Sequence, residues 1–353
     1  MQTPKRTSLF HTLKHQLLVL TAGLALSGSV HAAGELHLYN WSDYMPQAML
    51  DKFAARYDVN VTQDTYDSNE TLLAKLKSGV AGYDLAVPGD YMVAIMIKEG
   101  LLENIHANQL ENFHYIKPDL IDVYFDPGRD YSIPYQFGTT AFMVDTAVYD
   151  GDINTLDILF NPPAALKGKI NMFRDVNDVI NAALRYKGYA TCNSNRQQLN
   201  DVNDLLLASR QNWLSIMSDG AREMLVSGDA AVSMIWNGMG LRARMEKPTL
   251  QYAYPKQGLT AWADNLVVLK GAPNLDNAKL FMNFLLQPEN AAALTNFAGY
   301  TAGVTGTEPY LDSQLKGALE LNPPAGAAPA TFVPPCSPDV VRLYDRIWTN
   351  LLK

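Results

Sequence analysis

The chain has 353 residues, 48% of them hydrophobic and 10% aromatic, with 36 acidic against 28 basic residues and a formal net charge of −8. That balance excludes nucleic acid as an expected partner, because phosphate binding calls for clustered Lys and Arg. The apolar and aromatic fractions are those of well-filled cores and not of a disordered chain.

The first 32 residues have the plan of a secretory leader. A basic start with Lys5, Arg6 and Lys14 precedes an apolar run over 17–26 and the small-residue exit Val30-His31-Ala32. Cleavage after Ala32 is expected. The apolar run falls short of the roughly 20 residues of a membrane-crossing helix, and no later stretch of that length lacks charge, so no membrane insertion is expected. Neither cysteine, at 192 and 336, lies near the cut. An anchoring lipid on a new terminal cysteine is therefore not expected, and the mature protein is placed free in the periplasm of a Gram-negative cell. Losing three basic and no acidic residues takes the 28 basic residues to 25 against 36 acidic, a net charge of −11 over 321 residues. A chain of that length exceeds what one hydrophobic core usually serves, so two domains are expected.

Residues 36–41 alternate like a strand, 47–57 place Met49, Leu50, Phe53 and Ala54 on one helical face, and 59–66 form a second strand. Asp67-Ser68-Asn69 caps a helix over 70–78 that stops at Gly79. A short buried strand over 83–87 ends at Pro88-Gly89, and a helix runs over 91–99 to Gly100. This alternation predicts a doubly wound α/β sheet. After a long loop with a turn at Asp126-Pro127-Gly128, residues 131–144 read as a strand leaving the first lobe.

A second βα series starts at residue 166. A strand is predicted over 167–172, and an amphipathic helix over 175–186 with acids in its first turn, as the helix dipole favours. Helices over 197–213 and 220–227, a buried strand over 230–236, a strand over 262–269 and helices over 277–286 and 288–297 complete it. The Pro-, Gly- and Ala-rich segment 322–335 is a surface loop. A last helix over 338–352 follows, with Val340, Val341, Tyr344, Ile347 and Leu351 on its apolar face.

Asn40-Trp41-Ser42-Asp43-Tyr44 puts an indole, a phenol and a carboxylate at the carboxyl end of the first strand, where open α/β sheets place their ligands. That set of groups suits a cation. Trp41-Ser42-Asp43-Tyr44, Tyr83-Asp84-Leu85 with Val87-Pro88, Pro134-Tyr135, Ile235-Trp236-Asn237-Gly238 and Trp262-Ala263-Asp264 occur in the order and spacing of the periplasmic polyamine-binding proteins, which the mature chain resembles over nearly its whole length. The resemblance implies a type II periplasmic binding-protein fold, two α/β lobes joined by a hinge with a ligand cleft between them. It implies lobes that are discontinuous in sequence, 33–140 with 262–308 and 141–261 with 309–353. It also implies a polyamine such as spermidine, norspermidine or putrescine, captured without a cofactor and delivered to an ABC permease. A linear polyamine needs carboxylates at its ends and apolar walls between. Aromatic faces serve both, covering methylenes and attracting the adjacent cation.

Trp41 and Tyr44 resemble the family's first-lobe aromatic contacts, with Ser42 and Asp43 as polar neighbours; the alternative is a core position for Trp41 and a cap on the following helix for Asp43. Tyr91 resembles a further aromatic contact. Gly89-Asp90 replace the small hydroxyl residue that the family usually carries after Val-Pro, and Asp90 is either a ligand group or an N-cap. Asp175 and Asp178 match acids at the start of the second lobe's first helix, three residues apart on one face, with dipole compensation as the alternative. Trp236 closes a buried strand before a polar turn and is expected to wall the cleft, with a core position as the alternative. Trp262 and Asp264, two apart on an extended segment, present a ring and a carboxylate to the same side. Tyr300 resembles one more aromatic contact. Cys192 and Cys336 are either a disulfide or two buried thiols.

An enzyme is not expected. Only His37, His106 and His114 follow the leader, and G-x-S-x-G, H-E-x-x-H and C-x-x-C are absent, so neither a nucleophile with its base nor a metal site is expected. The same fold also serves as a polyamine-sensing subunit that docks on a periplasmic receptor domain of a membrane signalling protein. A monomer is expected in either role.

Overall fold

In the first strand, Gly34–Trp41, Leu36 and Leu38 are fully buried while Glu35 stays at the surface, and Val59–Tyr66 pairs beside it in parallel. The helix Gln47–Tyr57 between them buries Met49, Leu50 and Phe53, the spacing of one helical face. The structure is a computed structural model that describes residues 34–79 and 82–353. The expected leader, 1–32, lies outside the described residues.

Across the main sheet the strands run in the order Val59–Tyr66, Gly34–Trp41, Leu85–Ala86, Leu259–Val268, Ser132–Asp145, Val232–Trp236, Ile170–Met172 and Trp213–Ile216. The two central strands, Ser132–Asp145 and Leu259–Val268, are antiparallel and belong to both halves. Toward one edge lie the parallel βα units of the first half, and toward the other those of the second.

Each half has its own apolar core. One gathers Leu36, Phe53, Phe281 and Phe284, with Tyr39, Met92 and Val93 on the other face of the same strands. The other gathers Phe142, Phe173, Val179, Leu206 and Tyr344. The helix Val176–Lys187 begins at Asp175, whose carboxylate accepts the backbone N–H of Asp178 at 2.8 Å, an N-cap placed by the acid-rich first turn. The terminal helix Pro338–Leu351 buries Val340, Tyr344, Ile347 and Leu351. Val341, expected on that face, stays 45% exposed, because a step of one residue turns about 100° around the helix.

Three elements depart from expectation, one of them the strand Ala330–Phe332 inside the expected loop. The helix predicted to reach residue 213 ends at Arg210, and Trp213–Ile216 is an edge strand whose Trp213 indole N–H donates to the Leu159 carbonyl at 2.8 Å. Asn237-Gly238, read as a turn, opens the helix Asn237–Glu246.

Side-chain ties fasten the segments that pass between the halves. Asn237 accepts the Thr139 N–H at 3.0 Å and donates to the Glu320 carbonyl at 3.0 Å. The buried Glu320 carboxylate takes two bonds from Arg244, at 2.5 and 2.9 Å. Cys192 and Cys336 form a disulfide that ties the turn at 192 to the end of the Pro-rich segment. That segment is not all loop: Ala330–Phe332 runs parallel to the start of Leu259–Val268. Among the described residues no helix is long and apolar enough to cross a membrane.

Candidate functional site

The long strand Ser132–Asp145 organises the site. In its ladders Thr140 stands between Thr260 and Trp236, Gly138 beside Trp262, and Gln136 beside Asp264. Directly opposed residues share a face of the sheet, so Trp236, Trp262 and Asp264 form a row on one face. At about 3.3 Å per residue, Thr140 and Gln136 are roughly 13 Å apart along the strand.

At one end of this row the Tyr44 hydroxyl donates to Asp264 Oδ2 at 2.8 Å. The Tyr44 ring packs edge-on against Tyr135 at 5.0 Å and Tyr300 at 5.5 Å, and Tyr300 against Trp262 at 5.1 Å. Burial pushes the Asp264 carboxyl up to about 8; the Tyr44 hydrogen bond offsets part of this, and the neighbouring Asp90 carboxylate adds to it. The Trp262 indole N–H has no hydrogen-bond partner among the described residues.

Gly138 is what lets the Trp262 ring come close to the strand. A Cβ there would sit 2.7 Å from the ring and would also strike the Asn237 amide oxygen. Gly138→Ala is therefore expected to displace both side chains and to weaken ligand binding by about tenfold, the scale of one displaced aromatic contact on a cation. Titration of the variant against the wild-type ligand checks this.

At the other end the Thr140 hydroxyl donates to Asp178 Oδ2 at 3.3 Å, and the Trp236 ring packs against Phe173 at 4.7 Å. Burial raises both Asp175 and Asp178, and the charge on Asp175 raises Asp178 further. Arg185, Thr140 and Trp236 favour the ionised form of Asp178 without overcoming that rise. From the first half, the Tyr91 hydroxyl donates to Glu70 Oε1 at 3.0 Å. Glu70 is open to solvent at its edge, yet enough protein surrounds its carboxyl that desolvation raises its pKa, and Asp175 raises it further. Acids of both halves thus converge here.

The Trp41 indole N–H donates to the Val87 carbonyl at 2.8 Å, and its half-buried ring leans on Tyr66 at 4.7 Å. Ser42 is exposed. Asp43 has a left-handed backbone, φ 55°, and caps no helix: Pro46 precedes the helix without a side-chain cap, and the Asp43 carboxylate meets Arg242 Nη2 at 2.7 Å. It joins the two halves across their seam. Nearby, Gly238 lets Tyr300 approach, since a Cβ there would sit 2.5 Å from the ring. Asp90 is 3% exposed and accepts the Tyr124 hydroxyl at 3.0 Å; burial raises its pKa to about 7. Its carboxylate ties the start of the helix Asp90–Lys98 to the 122–131 segment.

The structure therefore gathers Tyr44, Trp262, Asp264 and Tyr300 at one end and Asp175, Asp178, Trp236 and Tyr91 at the other. It turns Asp43 and Asp90 to protein partners. Glu70, Thr140 and Gln136 escaped the sequence reading. Glu70 looked like an ordinary first-turn acid and Thr140 like a strand residue, whereas a glutamine within the apolar run 133–137 was a signal.

Residues 48–323 match the family model described as bacterial extracellular solute-binding protein. The spermidine/putrescine-binding periplasmic protein of Escherichia coli K12 is 33% identical over 313 residues, covering 87% of this chain and 89% of that one. The putrescine-binding periplasmic protein SpuD of Pseudomonas aeruginosa is 29% identical over 355 residues, covering 95% and 97%. Among solved structures, a putative spermidine/putrescine ABC transporter protein from Listeria monocytogenes superposes with a TM-score of 0.84 at 28% identity, over 90% of this chain and 98% of that one.

Proposed function

The chain belongs to the bacterial extracellular solute-binding proteins and has their type II periplasmic binding-protein fold, and from that premise we propose that it captures a linear polyamine in the periplasm and hands it to an ABC permease. The observation that carries this reading is the row on one sheet face, with Asp264 at one end, the Trp262 and Tyr300 rings beside it, and Asp178 with Trp236 at the other. Carboxylates at both ends answer the terminal ammonium groups, and the rings cover the methylenes between.

The lobes 33–140 with 262–308 and 141–261 with 309–353 close on the ligand, bending near 139–141 and 261–264, where the two central strands cross between cores. Binding proceeds without chemistry. His37 engages Thr62, His106 faces Asp130 and His114 the Glu111 carbonyl, so none is committed to the acids of the cleft.

Calorimetric titration of protein stripped by unfolding and refolding tests this, with diamines, triamines, spermine, basic amino acids and an acidic control. One-site saturable binding of a polyamine is expected. Binding of the amino acids alone, or of no cation, would refute the reading.

A further inference from the structure

Gln136 is 1% exposed, yet neither its amide nitrogen nor its amide oxygen makes a hydrogen bond of good geometry with the described residues. Leaving both polar atoms of a buried amide unmatched is a standing cost that an apolar side chain would avoid. Its place in the sheet says what the amide faces. Gln136 lies across the ladder from Asp264 on one side and from Ala302 on the other. The register shifts beside it: Asp264 pairs with Gln136 and Asn265 with Pro134, which leaves Tyr135 as an extra residue. Such a bulge turns two successive side chains to one face. Tyr135 and Gln136 therefore share the face of Tyr44, Asp264 and Tyr300. The Tyr135 hydroxyl donates to the Tyr44 carbonyl at 2.8 Å, and of the Gln136 amide its oxygen can accept only from the nitrogen, whose nearness favours the Tyr135 phenolate; the Gln136 amide oxygen gains nothing from it.

Asp264 accepts the Tyr44 hydroxyl at Oδ2, which leaves Oδ1 to receive a ligand. A primary ammonium carries three N–H donors, more than one carboxylate oxygen can satisfy. We propose that Gln136 is a ligand-contacting specificity residue, its amide oxygen accepting a second hydrogen bond from the terminal ammonium held by Asp264. This assignment rests on the polyamine reading of the cleft and deepens it. The neutral amide adds an acceptor without adding charge beside Asp264, which Asp90 already opposes. It also selects among amine ends: a primary ammonium can address Asp264 and Gln136 together, whereas an N,N-dimethylated end has a single N–H to give.

A crystal structure of the wild-type protein with a bound polyamine is expected to place a ligand nitrogen within about 3.2 Å of Gln136 Oε1; a bound ligand that leaves this oxygen untouched overturns the assignment. In titrations, Gln136→Leu and Gln136→Met are expected to weaken a primary-amine polyamine by about tenfold or more. Against the same polyamine with a dimethylated end the loss should shrink to about twofold or less, and the melting temperature of the ligand-free variants should equal or exceed that of the wild type. No loss, or the same loss with both ligands, overturns it. Wild-type protein that binds no polyamine sinks the reading of the cleft and this assignment together; wild-type binding with silent Gln136 variants sinks this assignment alone.

Discussion

Asp264→Asn is expected to weaken polyamine binding by about 30-fold to several thousand-fold while leaving the ligand-free fold intact. Removing one partner of a buried, hydrogen-bonded charge pair costs about 2–5 kcal/mol, much of it from the ammonium left in the cleft without its carboxylate. The asparagine oxygen still accepts the Tyr44 hydroxyl, so the packing of Tyr44, Tyr135 and Tyr300 has no reason to change. Ligand-free stability follows a separate sign. The folded Asp264 pKa, about 8, lies above the ordinary carboxylate range. Its contribution to stability is therefore fully present below about pH 4 and is lost as the pH rises through 8. A neutral amide has no such loss. The variant should melt like the wild type near pH 4 and higher than it near pH 9, with titration calorimetry reading the affinity and thermal scans the fold. A steep fall in ligand-free melting temperature at pH 4 would place Asp264 in the core and not at a binding site.

The parts of the fold most legible in the sequence are those set by local chemistry. The spacing of Met49, Leu50 and Phe53, the acidic start of the helix at Asp175 and the alternation of Leu36 and Leu38 each follow from one element's own sequence, and the structure has them. The edge strand Trp213–Ile216 was hidden because Trp213 follows the helix Arg196–Arg210 by three residues, and only pairing with Ile170–Met172 makes the segment extended. Helix Asn237–Glu246 was hidden by Gly238 and Gly240, which serve close approach instead: a Cβ at Gly240 would lie 3.1 Å from the Met143 sulfur. The site shows the same division. The Trp262 and Asp264 pair could be read from a two-residue spacing. That Asp43 is spent on Arg242, 199 positions later, and Asp90 on Tyr124 depends on which distant side chain arrives, which no local pattern encodes.

Polyamine binding is expected to release protons, so that affinity rises with pH up to about 8. In the ligand-free protein burial holds the Asp264 carboxyl up at about 8 and raises Asp178 as well. At pH 7 Asp264 is thus mostly protonated. An ammonium placed beside it favours the carboxylate, lowers its pKa and expels the proton. By linkage, the slope of log affinity against pH equals the number of protons released. It should approach about one for Asp264, and more where Asp178 joins in, then flatten above pH 8. The affinity should turn down near pH 10, where amine ends lose their own charge. Calorimetry at pH 7 in buffers of different ionisation enthalpy measures the release directly, as a linear dependence of the apparent heat on that enthalpy with a slope of about one proton or more. A heat independent of the buffer would mean that the acids stand ionised in the empty cleft, and that the ligand finds its charges already made.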